Sequence, residues 1–80
     1  MCERLRRYIL EELTPLLRES RALYEEMGDS ERVEAIDELA AAFDEIVADV
    51  EGEAMDEWEC GELYDEFRSH RERGDLLSLA

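Results

Sequence analysis

Glu31-Arg32-Val33-Glu34-Ala35-Ile36-Asp37-Glu38-Leu39-Ala40-Ala41-Ala42-Phe43-Asp44-Glu45-Ile46-Val47-Ala48-Asp49-Val50-Glu51 places Val33, Ile36, Ala40, Phe43, Val47 and Val50 in steps of 3, 4, 3, 4 and 3. That spacing is a heptad seam on an α-helix, since residues three and four apart share one face. Leu39 and Ile46 widen the seam to the broader stripe of a helix that packs in a globular core. Asp29 or Ser30 suits the N-cap, and Gly28 before them suits the left-handed position that ends a preceding helix. Gly52 closes the far end.

Upstream, Leu5, Ile9, Leu13, Leu16, Leu17, Tyr24 and Met27 make a second apolar stripe, with Ser20 in one of its slots. Pro15 falls inside it. Thr14-Pro15 can start a new helix as N-cap and first position, but the stripe stays in phase, so a kinked continuous helix is equally allowed. Downstream, a third helical region is predicted over about Ala54 to Arg73. Ala54, Met55 and Trp58 lie near its start, and Cys60, Leu63, Tyr64 and Phe67 form a stripe further on. Gly61 suggests a bend or a short break. Gly74 ends the helix, and a short tail with Leu76, Leu77 and Leu79 follows; folding back over the bundle is its favoured reading, docking on a partner the other. Short connections imply antiparallel neighbours. The expected product is an all-α, small antiparallel three-helix bundle (four helices if Pro15 splits the first), a single acidic domain over residues 1–80. Leu13, Leu17, Ile36, Leu39, Phe43, Ile46, Leu63 and Phe67 are its expected core.

The charge is unusual. The 80 residues carry 24 acids against 9 bases, a net of −15. Every base is Arg; Lys, Asn and Gln are absent. That usage fits a GC-rich genome, and an acid-rich, Lys-free surface also fits a salty cytoplasm. Residues 29–66 alone hold sixteen acids and one base, Arg32, so the flanks are nearly neutral. Adaptation to salt would spread acids over every exposed surface. Concentration in one segment points instead to an electrostatic footprint, with a merely solvated surface as the plain alternative.

Catalytic chemistry finds little support. Cys2 and Cys60 belong to no C-x-x-C pair, and with His70 they supply only three scattered zinc ligands. Cys60 reads as a small apolar core residue and Cys2 as part of a fraying end; a disulfide is geometrically possible but unexpected in a cytoplasm. His70 beside Arg68, Arg71 and Arg73 reads as a helix-end cation. An EF-hand starting at Asp49 fails, because Ala54 stands where glycine is needed and Cys60 where glutamate is needed. Carboxylates are too many to single out a catalytic pair. No enzyme activity, cofactor or metal is therefore expected. Direct nucleic-acid binding is also unexpected, because phosphate would be repelled. No apolar run is long enough for a membrane span or a signal peptide, so the expected location is cytoplasmic, a host cytoplasm if the chain is viral.

Residues 34–66 hold fourteen carboxylates. Spread over about 50 Å of helix path, they average one charge per ~3.5 Å, close to the ~3.4 Å of one B-DNA strand. In size, charge and helicity the chain resembles the DNA-mimic proteins, a functional class that includes phage inhibitors of restriction and CRISPR systems. The resemblance implies a non-enzymatic inhibitor, of the counter-defence or anti-CRISPR kind, that blocks a basic nucleic-acid-binding surface of a partner protein. The candidate contact residues are Asp44, Glu45, Asp49, Glu51, Glu53, Asp56, Glu57, Glu59, Glu62, Asp65 and Glu66, in an acidic protein acting as monomer or homodimer. Arginines of the partner would pair bidentately with them. Core packing is the favoured reading of Trp58, and an aromatic anchor for the contact is the other. The alternatives are a salt-adapted helical interaction or regulatory module, and an immunity protein or antitoxin that neutralises a basic toxin.

Overall fold

A computed structural model describes residues 1–80. The chain is helical throughout, without strands. The first helix runs over residues 2–26, as Cys2–Tyr8, a π-helical stretch Ile9–Leu13, and Thr14–Glu26. The second is Ser30–Glu51, the third Glu57–Arg73, and a 3-10 turn, Leu76–Leu79, follows. The second helix runs antiparallel to the first, as the Arg6–Glu51 and Arg21–Asp37 pairs at its two ends show. The third runs alongside the first, from Met1–Glu57 to Glu12–Arg71. It packs on Cys2–Tyr8, and the second helix packs on Thr14–Glu26.

Pro15 neither splits nor breaks the first helix. A proline ring clashes with the carbonyl four residues back and cannot donate to it. The turn just ahead of Pro15 widens to π geometry, where the Thr14 N–H bonds to the Ile9 carbonyl five residues back. The widening also serves the core. Leu5, Ile9, Leu13 and Leu17 are all buried and spaced by four. On a regular α-helix each such step drifts by about 40°. The wider turn takes part of that drift back, so the four side chains stay on one line.

The core joins these four to Ile36, Leu39, Phe43, Val47, Cys60, Tyr64, Phe67 and Leu76. Ile46 and Leu63, expected at its centre, are only partly buried. Met27, expected in the first stripe, lies past the helix end and is 70% exposed. The second and third helices meet mainly through side chains, with the Phe43 and Phe67 rings 5.0 Å apart. The tail folds back, burying Leu76 and half-burying Leu77 and Leu79.

The stops and starts follow local chemistry. Asp29 caps the second helix, its carboxylate accepting from the Arg32 N–H at 3.2 Å. Asp56 caps the third, accepting from the Glu59 N–H at 2.8 Å, so that helix begins at Glu57 rather than near Ala54. It passes Gly61 unbroken. After the second helix the left-handed residue is not Gly52 but Glu53, at φ 57°. The Ala54 N–H bonds back to Asp49 O and the Glu53 N–H to Val50 O, a Schellman closure with a side chain where glycine is usual. A left-handed L-residue costs roughly 1–2 kcal/mol. Glu53→Gly is therefore expected to raise stability by about 1 kcal/mol, read as a higher melting temperature.

The two cysteines correct the sequence reading. Cys2 and Cys60 form a disulfide, with Cα atoms 5.0 Å apart. Antiparallel packing of the second helix returns the chain to the start of the first, and Cys60 faces the core beside Cys2. Neither cysteine is free. No helix is long and apolar enough to cross a membrane.

Candidate protein-binding face

The eleven candidate carboxylates are all exposed. Asp44, Glu45, Asp49 and Glu51 lie on the second helix, Glu53 and Asp56 in the connection, and Glu57, Glu59, Glu62, Asp65 and Glu66 on the third.

Packing sorts them by partner. On the second helix Asp37, Asp44 and Glu51 recur every seven residues, along the edge that faces the first helix. Arg21 Nε holds Asp37 at 2.8 Å and Arg6 Nε holds Glu51 at 3.1 Å, while Asp44 shares a shallow groove with Arg18. The first helix, which carries five of the nine arginines, thus pairs two of the three acids on this edge. Glu57 binds the Met1 ammonium at 2.7 Å; that hydrogen bond, and then the ammonium charge, hold its carboxyl below the usual value. Asp56 is spent on its cap. Asp44, Glu45, Asp49, Glu53, Glu59, Glu62, Asp65 and Glu66 have no ion-pair partner in the chain. The last four form a continuous surface of the third helix, through Glu59–Glu62–Glu66 at steps of three and four and Asp65 beside them.

Trp58 stands at the head of that surface and is 70% exposed. The core reading of this residue was mistaken. The buried line of the third helix is Cys60, Tyr64 and Phe67. Trp58 lies two residues before Cys60, about 200° around the helix, and therefore points away from the core. Glu62 follows it at i+4 and Asp65 at i+7, so indole and carboxylates share one outward face. The signal was present in the sequence as the step of five from Trp58 to Leu63, which is a change of face rather than a bend at Gly61. Met1 packs over Gly61, within 3.9 Å of where a β-carbon would stand, and is itself partly exposed beside the indole's turn.

His70 is a local strut. Its Nδ1 lies 3.0 Å from Asp75 and 3.2 Å from the Ser78 hydroxyl, tying the tail to the end of the third helix. No three His, Cys, Asp or Glu side chains converge where they could hold a metal ion. No family model, curated protein or solved structure matches the chain.

Proposed function

We propose that this protein is a non-enzymatic acidic binder that occludes a basic, nucleic-acid-binding surface on a partner protein. The observation that supports the reading is the exposed Trp58 within a surface of unpaired carboxylates, Glu59, Glu62, Asp65 and Glu66. An indole in water gains nothing for the fold. Seated in a partner and ringed by charge pairs, it is the residue type most often found at interface hot spots. The unpaired acids supply steering toward a cationic groove and keep off nucleic acid itself. An immunity protein or antitoxin against a basic toxin would use the same face. The apolar-docking alternative is weakened, because Leu76 is buried and Leu77 and Leu79 are half-buried against the bundle.

The cytoplasmic setting is the finer part of this proposal, and the Cys2–Cys60 disulfide weighs against it, since cytosolic thiols are held reduced. An oxidising compartment, or a cytoplasm in which this pair persists, suits the chain better.

The test is displacement of labelled duplex DNA from a panel of purified basic nucleic-acid-binding proteins, followed by fluorescence polarisation. Trp58 is the only tryptophan, so its emission shifts to the blue when it is covered. Charge reversal at Glu59, Glu62, Asp65 and Glu66 is expected to weaken the complex by 100-fold or more, and Trp58→Ala by about 30-fold, the ~2 kcal/mol of a hot spot. Reversal at Glu19, Glu26 and Glu31 is expected to change it little. Failure of the wild-type chain to displace DNA from any member of the panel, or equal losses in both reversal sets, would reduce the acidic segment to a solvated surface.

A further inference from the structure

The third helix is shorter than the slot it occupies. Beside it the first helix continues to Glu26, but the third stops at Arg73. Gly74, at φ 72°, reverses the chain, with the Asp75 N–H bonded to His70 O at 3.0 Å. The 3-10 turn covers only part of the remaining length. What is left is an open groove of about 580 Å³, within the ~300–1,000 Å³ typical of small-molecule sites.

The groove combines apolar walls with basic groups at its rim. Leu16, Leu17, Tyr24, Leu76 and Leu77 give it apolar walls. Ser20, the small polar residue in the first helix's apolar stripe, leaves the room that a leucine there would fill. Two of the nine arginines stand on its rim, one of them Arg32, the sole base of the acidic segment. The Arg32 guanidinium lies over the Tyr24 ring, 5.4 Å from its centre, which holds it at the groove wall. One of its nitrogens, Nη1, donates to Asp29 at 2.7 Å. Arg71 Nη1 meets Glu12 at 3.1 Å, and Tyr8 is a further hydrogen-bond partner of that guanidinium. A guanidinium carries five N–H donors, so each keeps donors for a ligand. The one carboxylate lining the groove, Asp75, is engaged by His70 and Arg73.

We infer that this groove binds a small amphiphilic anion, an apolar chain or ring bearing one carboxylate, sulfonate or phosphate, with the tail along Leu16, Ser20 and Leu77 and the head between Arg32 and Arg71. The overall charge of −15 disfavours polyanions and makes the apolar tail necessary. The site lies at the end of the bundle opposite Trp58, so it stands or falls independently of the acidic face.

The probe is 1-anilinonaphthalene-8-sulfonate, titrated into the folded chain at moderate salt with helicity checked by circular dichroism. The expected result is saturable one-to-one binding. Decanoate is expected to displace the probe, and decyltrimethylammonium, with the same tail and opposite charge, to leave it bound. Ser20→Leu fills the groove without touching a charge and is expected to weaken binding at least 10-fold while preserving the melting temperature; Arg32→Gln should weaken it similarly. Phosphatidylglycerol vesicles are expected not to retain the protein. Absence of saturable binding, Ser20→Leu binding like wild type, equal displacement by the cation, or capture by the vesicles in place of the monomeric anion would each overturn the inference.

Discussion

Replacing Cys2 and Cys60 with serine, or reducing them with dithiothreitol, should lower the melting temperature by about 20 °C, as followed by circular dichroism. The bridge spans a sequence separation of 58 residues. Closing a loop of that length removes denatured-state entropy worth about 4 kcal/mol on the chain-entropy model. For a domain of this size each kcal/mol shifts the midpoint by roughly 4–8 °C. The loss is severe because an 80-residue chain buries only about 60–65% of its unfolded surface, and total stabilities of small domains are about 5–15 kcal/mol. The bridge also anchors the start of the first helix to the third, where Cys60 is fully buried. A melting curve indifferent to reductant would mean that Cys60 is only an apolar filler of the core, as its position in the stripe first suggested.

Phe43→Ala should cost about 3–5 kcal/mol, the usual range for a large aromatic removed from a core, measured as a shift of the urea midpoint. Phe43 is 1% exposed and its ring lies against Phe67. That contact is a principal link between the second and third helices, which otherwise share the first helix as a spine, so the cavity opens where no backbone packing can close it. Phe43→Leu should lose much less, because most of the volume is kept. Trp58→Ala is the matched control. With its indole in solvent it should cost under about 0.5 kcal/mol. A cost near that of Phe43→Ala would put Trp58 back in the core and remove the anchor from the proposed interface.

The two substitutions separate what each kind of information could supply. Phe43 was legible as core because its neighbours at three and four residues are also apolar, and that is a property of one helix. Trp58 was misread because its type argued for burial while its phase argued against it, and phase is the stronger guide on a helix of known register. The candidate carboxylates were legible as a group, since charge is read directly from residue type. Their division into neutralised and free members was not. Asp37 and Glu51 are paired with Arg21 and Arg6 across 16 and 45 residues of chain, and only the docking of the second helix on the first brings those groups together.

The sequence by itself determined the three helices, their ends at Gly28, Asp29 and Gly74, the core seam through Ile36, Leu39 and Phe43, and the acidic middle. These depend on interactions within about four residues along the chain. Tertiary structure alone decided the Cys2–Cys60 bridge, which carboxylates remain unpaired, and the groove beyond Arg73. Each of these depends on how far one helix extends along another and in what register. Contacts between residues tens of positions apart set that register, and no local pattern encodes them.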